Sequence, residues 1–175
     1  NFLSWEENLI KKKSAKSLIF ITNDGERTMC TFLDASVSLS LENFDKSTLN
    51  NNSILYLEGY LFDKNETKET MIDLCKIAKN EGNLISLSLS DSYCVERHRE
   101  DFLFLIEEYV DILFCNNKEI NALLNQNNKK SLNSIVDIAV VTNGSKGANI
   151  YKDNNCLFIP PINGLNVLDT TGAGD

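Results

Sequence analysis

The last seven residues of the chain, residues 169–175, read DTTGAGD and have the residue types best suited to chemistry. Gly172 and Gly174 let the backbone turn tightly and approach a ligand without interference from a Cβ. If a helix begins here, its free N–H groups and positive dipole end would bind a phosphate. Asp175 would then be placed to orient a hydroxyl and accept its proton. We therefore predict an anion-binding turn with a general base, although a structural turn is the alternative because short motifs often match by chance.

A β-hairpin is predicted near the start of the chain. Two apolar runs, residues 17–22 and 27–33, flank an Asp24-Gly25 pair. An Asp-Gly pair between two β-prone runs is a hairpin signal, because glycine tolerates the positive φ that such turns require.

After Leu41, short apolar runs alternate with amphipathic stretches. The runs predict strands at residues 54–57, 84–89, 112–115 and 138–142. The stretches predict helices at residues 67–79, 97–109 and 117–124, with Gly82 as a left-handed cap after the first. A further hairpin is predicted from residues 148–151 and 156–159, turned at residues 153–155. This alternation predicts a mostly parallel sheet covered on both faces, with right-handed crossovers.

In such a sheet, ligands bind beyond the carboxyl ends of the strands. Polar residues and glycines follow each predicted strand: Glu58, Gly59, Ser90, Asp91, Asn116, Asn143 and Gly144. We expect these residues to line one edge. A Rossmann dehydrogenase would share the alternation of strands and helices, but the chain has neither its GxGxxG motif nor a GxxxxGK[ST] phosphate loop.

Composition predicts one soluble domain that binds neither nucleic acid nor membrane. The net charge of −8 opposes attraction to either polyanion. No run approaches the roughly 18 apolar residues of a membrane helix. Five cysteines without CxxC spacing fit neither a disulfide framework nor a zinc site, so a cytoplasmic location is expected.

Five segments, in the family's order, resemble the PfkB (ribokinase) family of carbohydrate and nucleoside kinases, and the resemblance runs from about residue 17 to residue 175. DTTGAGD resembles the family signature DTxGAGD, and VVTNGSKGA at residues 140–148 resembles its TxGxxG strand end. CNNKE at residues 115–119 resembles its NxxE motif. TNDGERTM at residues 22–29 and YLEGYL at residues 56–61 are similar to adenosine-kinase-like and sugar-kinase members.

The resemblance implies an α/β fold, a ribokinase-like three-layer sandwich with a mostly parallel central sheet plus part of a small β lid. Residues 1–175 would form a single domain fragment, with a lid hairpin at about residues 17–33 and an α/β core at about residues 41–175. Family regions expected before Asn1 and after Asp175 are missing, so the fragment itself is expected to be inactive. Asp34 stands where relatives often carry glycine, which would alter the turn after the lid strand.

The resemblance also implies transfer of the ATP γ-phosphate to a hydroxyl of a nucleoside or sugar. Asp175 would be the base, and the backbone of Gly172, Ala173 and Gly174 would form the anion hole. Arg27 would approach the phosphates on lid closure. The alternative is a non-catalytic nucleotide- or sugar-binding regulatory member. A homodimer formed through lid sheets is a further expectation, since it occurs in some relatives.

Cofactor sites follow from the same resemblance. The residues expected to hold Mg²⁺, largely through water, are Asn116 and Glu119. The residues expected beside the nucleotide are Asn116, Glu119, Thr142, Gly144, Gly147 and Thr171. Asp169 and Thr170 are candidates for a K⁺ site.

Structural alternatives exist for several of these residues. Asn116 and Glu119 also fit a helix N-cap followed by an acid three residues on. The glycines after Thr142 also fit a tight turn, and Arg27 an exposed hairpin residue. His98 lies between two arginines, so we expect it on a solvated helix face without a catalytic role.

Overall fold

The computed structural model describes residues 12–50, 52–124, 132–164 and 167–172. Within these ranges the chain forms a two-stranded hairpin and a six-stranded sheet. Three predicted site residues, Ala173, Gly174 and Asp175, lie outside the described residues. Their roles stay predictions.

Every predicted strand is present. In the described residues the strands are β1 Lys16–Ile21, β2 Arg27–Phe32, β3 Ile54–Glu58, β4 Leu84–Ser88, β5 Ile112–Asn116, β6 Ile138–Thr142, β7 Ala148–Lys152 and β8 Asn155–Ile159. The order in the large sheet is β3-β4-β5-β6-β7-β8. Strands β3 to β6 pair in parallel, and β6, β7 and β8 pair antiparallel. Both predicted hairpins, β1-β2 and β7-β8, are therefore confirmed.

The α-helices of the described chain are α1 Asn65–Asn80, α2 Ser92–Glu108 and α3 Asn117–Leu124. Gly82 follows α1 with a φ of 73°, which confirms the predicted left-handed cap. Helix α2 begins at Ser92, a full turn before the predicted start at Arg97. Asp91 is the N-cap of α2, because its carboxylate accepts a hydrogen bond from the Cys94 amide at 2.8 Å.

One hydrophobic core joins all three helices to the sheet. Alternate strand side chains such as Leu57, Leu87 and Leu113 are fully or almost fully buried in a cluster with Leu74 and Phe102 of the helices. Helices α1, α2 and α3 are the crossovers that connect β3, β4, β5 and β6. Because the order of these strands in the sheet follows their order in the chain, all three crossovers move across the sheet in the same direction. Right-handed crossovers in the same direction place their helices on the same face of the sheet.

The predicted fold class, a mostly parallel sheet flanked by helices with part of a small β lid, is confirmed. In the described residues the helices cover one face, whereas helices were expected on both. Apolar side chains of the opposite face are 39–58% exposed; these are Ile54, Tyr56, Leu84 and Phe114. No helix in the described ranges is long and apolar enough to span a membrane.

The turn after the lid hairpin shows the effect of Asp34. This residue has a φ of 33°, in the left-handed region that favours glycine. Its carboxylate accepts a hydrogen bond from the Lys13 amide at 2.8 Å, which compensates part of the backbone strain. Asp34 thus adopts a backbone conformation that glycine would adopt without strain.

The prediction that His98 lies on a solvated helix face is wrong. Its side chain is only 16% exposed, and its Nε2 lies 2.8 Å from a carboxylate oxygen of Asp63. The backbone at His98 leaves the helical region, with φ −120° and ψ 24°, so α2 is kinked there. His98 lies four residues after the buried Cys94 and four before the buried Phe102, so helical spacing places it on the buried face; the prediction failed because it relied on the neighbouring arginines.

Candidate active site

The carboxyl ends of the parallel strands meet at one edge of the sheet. Glu58, the last residue of β3, pairs in register with Ser88 of β4, and Asn116 of β5 pairs with Thr142 of β6. The predicted alignment of polar residues along one edge is therefore confirmed. This register also brings the NxxE-like and TxGxxG-like segments side by side.

Asn116 and Glu119 hold each other in a reciprocal arrangement at the start of α3. The Asn116 side-chain oxygen accepts hydrogen bonds from the amides of Lys118 at 2.8 Å and Glu119 at 3.0 Å. In return, the Glu119 carboxylate accepts from the Asn116 amide at 2.8 Å and from its side-chain Nδ2 at 2.5 Å. This is the geometry of a capping box, the structural alternative weighed for this pair. The cap fixes the positions of one carboxylate and one amide at the edge.

Glu119 is 95% buried in a region that already carries negative charge, with 5% of its surface exposed. Burial raises the pKa of Glu119, and the nearby charges of Asp91 and Glu58 raise it further, while the hydrogen bond from the Asn116 backbone opposes the rise. Three carboxylates at the ends of β3, β4 and β5 thus form an electronegative edge. A cation placed here would be electrostatically favoured.

Ser90 and Gly59 lie at the same edge of the sheet. The sequence predicted their position at this edge but gave them no functional role. Ser90 has a φ of 68°, and its hydroxyl donates a short hydrogen bond to the Glu58 carboxylate. It also accepts from the Tyr60 amide at 3.2 Å. A Cβ on Gly59 would lie 2.9 Å from the Ser90 hydroxyl oxygen and 3.0 Å from the Leu89 carbonyl oxygen, so a larger residue would displace this turn. Backbone strain at a ligand-facing edge is often functional, and it is the signal that points to Ser90.

The segment after β6 forms a tight turn, Gly144–Lys146, that leads into β7. Gly144 has a φ of 52° and open space around it, whereas Gly147 has a φ of 89° and packs against β8. A Cβ on Gly147 would lie 2.2 Å from the Ile159 carbonyl oxygen. The Thr142 hydroxyl lies 3.5 Å from the Cys115 carbonyl, between the two strand ends. Gly147 therefore has a structural requirement for glycine, while Gly144 leaves room for a ligand.

The described part of the DTTGAGD segment is a turn held by the lid hairpin. Asp169 accepts a hydrogen bond from the Thr171 amide at 2.8 Å, and hydrogen bonds from Thr171 lower the pKa of Asp169. The Arg27 Nη1 donates to the Thr170 carbonyl at 2.7 Å and lies 3.0 Å from its hydroxyl. The Thr170 hydroxyl donates to the Gly25 carbonyl at 3.0 Å. Gly172 has a φ of 73°, as expected for a tight glycine turn.

A cavity of about 280 Å³ lies at the opposite edge of the sheet. Its walls include Asp111 and Asp137, which precede the amino ends of β5 and β6. Asp111 accepts from Lys79 Nζ at 2.6 Å and from the Ile85 amide at 2.8 Å. These bonds satisfy the carboxylate and join α1 to the sheet, so this cavity has a structural explanation.

The sheet, its carboxyl edge and the attached lid hairpin define a ribokinase-like α/β protein. A model of the family "pfkB family carbohydrate kinase" matches residues 7–175. The chain belongs to the PfkB family.

Three known proteins show what the chain is similar to. A nucleoside kinase of Methanocaldococcus jannaschii is 34% identical over 95 residues, which cover 53% of this chain and 31% of that protein. The crystal structure of a probable sugar kinase protein from Rhizobium etli CFN 42 is 39% identical, with a TM-score of 0.84. That of the adenosine kinase from Sinorhizobium meliloti is 34% identical, with a TM-score of 0.82. Both structural matches cover 91% of this chain and 50% of the other, so the chain spans about half the length of these solved structures.

Proposed function

We propose that the full-length protein transfers the γ-phosphate of ATP to a hydroxyl of a nucleoside or sugar. Membership of the PfkB family supports this activity. The observation that carries the proposal is the attachment of the lid hairpin to the DTTG turn through Arg27 and Thr170. It places a guanidinium beside a glycine turn suited to bind phosphate oxygens. Because the chain spans about half the length of its solved relatives, the activity is assigned to the full-length protein.

The residues at the sheet edge fit a magnesium nucleotide. Mg²⁺ prefers oxygen ligands and keeps much of its water, so one or two carboxylates are sufficient to hold it. The Glu119 carboxylate and the Asn116 amide are fixed by their reciprocal hydrogen bonds and lie in an electronegative region. They would bind the water shell of the ion. Thr142, Gly144 and Thr171 would lie beside the nucleotide, with the open space at Gly144 admitting its close approach.

ATP supplies the transferable phosphoryl group. Asp175 orients the acceptor hydroxyl and accepts its proton as the new phosphorus–oxygen bond forms and the bond to the ADP oxygen breaks. The backbone N–H groups of Gly172, Ala173 and Gly174 donate to the charge that develops on the transferred group. Arg27 stabilises the same charge when the lid is closed. A K⁺ site at Asp169 and Thr170 stays a prediction, as do the homodimer and the cytoplasmic location.

A nucleoside is the preferred acceptor. Two of the similar proteins are a nucleoside kinase and an adenosine kinase, each 34% identical to this chain. The structure with 39% identity is a probable sugar kinase, so a sugar is the second candidate.

The test is ATP-dependent phosphorylation by the full-length protein on adenosine, other nucleosides, ribose and fructose. Turnover on one class, lowered at least about 100-fold by Asp175→Asn with nucleotide binding retained, would support the proposal. Full turnover in the Asp175→Asn variant would remove Asp175 as the base. ATP binding without turnover on any acceptor would favour the non-catalytic member instead.

A further inference from the structure

Three potential metal ligands converge beside helix α2, next to the sheet edge described above but outside its motifs. They are an oxygen of Asp63, the Sγ of Cys94 and a ring nitrogen of His98, and all lie within 4.8 Å of one another. A thiol, an imidazole and a carboxylate make up a donor set typical of Zn²⁺. The sequence did not suggest it, because no CxxC spacing is present and Asp63 is distant in the chain.

Local structure explains why these side chains meet. Cys94 and His98 are four residues apart, so they lie on the same face of α2. Asp63 ends the short 3-10 turn Gly59–Asp63 that follows β3. The non-helical backbone at His98, with φ −120° and ψ 24°, brings its Nε2 to 2.8 Å from Asp63 Oδ1. Helix kinks have specific causes, and this one coincides with the residue that points at Asp63.

The second ring nitrogen of His98, Nδ1, lies near the carboxylate of Asp101. Carboxylates commonly accept a hydrogen bond from the nitrogen of a metal-binding histidine that does not bind the metal. The His98 Nδ1 lies 3.8 Å from the Asp101 Oδ2, and Lys68 Nζ holds that same oxygen at 3.0 Å. Metal-binding histidines usually direct their free nitrogen at a carboxylate or carbonyl, which fixes the ring and raises its basicity. The present separation is about 0.6 Å longer than a hydrogen bond, so a small shift of either side chain on metal binding would let Asp101 do this for His98.

The surroundings of the cluster are apolar on one side and open on the other. Cys94 is fully buried, and the rings of Phe62 and Phe102 lie 6.3 and 6.1 Å from the His98 ring. Asp63 keeps 27% of its side chain exposed. A metal could therefore enter from the Asp63 side and keep one water ligand.

We infer that Asp63, Cys94 and His98 form a site for one divalent transition metal ion, with Zn²⁺ as the expected occupant and water as the fourth ligand. Zinc bonds of about 2.0 Å place tetrahedral oxygen and nitrogen ligands about 3.3 Å apart, so the 2.8 Å Asp63 to His98 contact needs to open only slightly. Asp63 Oδ1 then exchanges its hydrogen bonds from Arg97 Nε and Nη2, now 3.2 and 3.0 Å long, for the metal, while Arg97 Nη2 keeps its 3.1 Å hydrogen bond to Oδ2.

Metal binding exchanges a proton for the ion. Burial raises the pKa of Cys94 to about 12, and the Asp63 charge adds to this, so the metal-free residue is a thiol. Binding breaks the S–H bond, forms the metal–sulfur bond and releases the proton to solvent. The ion would cross-link α2 to the turn that follows Glu58, and would thereby stabilise one side of the candidate active-site edge.

The test uses the full-length protein, stripped of metal and titrated with Zn²⁺ and Co²⁺. We expect one tightly bound equivalent, a rise in melting temperature with Zn²⁺, and the thiolate-to-metal charge-transfer absorption of Co²⁺. Cys94→Ser and His98→Gln should each weaken binding by about 100-fold or more, and Asp101→Asn by about 10-fold. Cys30→Ser and Cys156→Ser are the matched controls, because both are exposed cysteines outside the cluster.

The outcomes separate this site from adventitious binding. Loss of the cobalt–thiolate band in Cys94→Ser, with the band kept in the two control variants, supports the site. The site is ruled out if metal binding is lost in Cys30→Ser or Cys156→Ser instead. It is also ruled out if His98→Gln leaves the Zn²⁺ affinity unchanged. If Cys94→Ser fails to fold, His98→Gln and Asp101→Asn give the same decision, since both positions retain some exposure to solvent.

Discussion

Arg27 of the lid hairpin donates a 2.7 Å hydrogen bond to the carbonyl of Thr170, a residue 143 positions further along the chain. The same nitrogen lies 3.0 Å from the Thr170 hydroxyl, which in turn donates to the Gly25 carbonyl. Two residues of the hairpin, Gly25 in its turn and Arg27 at the start of β2, are thus hydrogen-bonded to Thr170 of the DTTG turn. If the lid moves, this contact is the link by which it would position the segment proposed to bind phosphate.

Replacing Arg27 by Lys tests this link. Lysine keeps the charge, but its single ammonium cannot contact Thr170 through one nitrogen and offer other, differently directed N–H groups to a phosphoryl group, as the guanidinium can. We expect kcat/KM of the full-length enzyme to fall roughly 10- to 100-fold with little loss of stability, because the contact is exposed. Lys16→Ala, on β1 of the same hairpin, is the control and should leave kcat/KM unchanged. Equal rates for Arg27→Lys and the unmodified enzyme would make Arg27 an ordinary surface residue.

Glu119→Gln separates magnesium binding from helix capping. Glutamine can still accept from the Asn116 amide, so the cap is largely kept while the negative charge is lost. We expect the Mg²⁺ concentration for half-maximal rate to rise about 10-fold, with a smaller change in the KM of the acceptor. Glu108→Gln, at the exposed end of α2, is the control. A magnesium response identical to that of the control would leave Glu119 with only its capping role.

Two glycines of the TxGxxG-like segment should differ sharply when replaced by alanine. At Gly147 the new Cβ would lie 2.2 Å from the Ile159 carbonyl oxygen, and at Gly144 it would meet nothing within 4 Å. Gly144, with a φ of 52°, lies where alanine costs roughly 1–2 kcal/mol, whereas Gly147, with φ 89° and ψ −149°, lies in a region essentially restricted to glycine. We therefore expect Gly144→Ala to lose about that much unfolding free energy and Gly147→Ala roughly 2–5 kcal/mol, measured by urea denaturation. Similar losses at the two positions would contradict the packing described for β7 and β8.

Asp34 offers a test of backbone strain against a side-chain hydrogen bond. Asp34→Ala removes the bond to the Lys13 amide but keeps the positive φ, so a loss of about 1 kcal/mol is expected. Asp34→Gly removes the same bond while relieving the strain, and its melting temperature should stay close to that of the unmodified protein. A glycine variant less stable than the alanine variant would show that strain at this position is negligible.

Local patterns predicted the helices well where an apolar stripe marks them, as in α1. They missed the first turn of α2, because Ser92, Tyr93 and Glu96 interrupt the apolar spacing there. The signal that could have found it was Asp91, an N-cap residue whose carboxylate accepts from the Cys94 amide. They also misplaced His98, because its charged neighbours Arg97 and Arg99 were given more weight than its four-residue spacing from the buried Cys94 and Phe102.

The sequence alone determined the strands, the hairpins, the parallel edge and the motifs at that edge, because periodicity and glycine turns are set by neighbouring residues. Only the tertiary structure decided the contact of Arg27 with Thr170 and the meeting of Asp63 with Cys94 and His98. Such contacts join residues of different elements, and their distances depend on how whole elements pack. No local pattern contains that information.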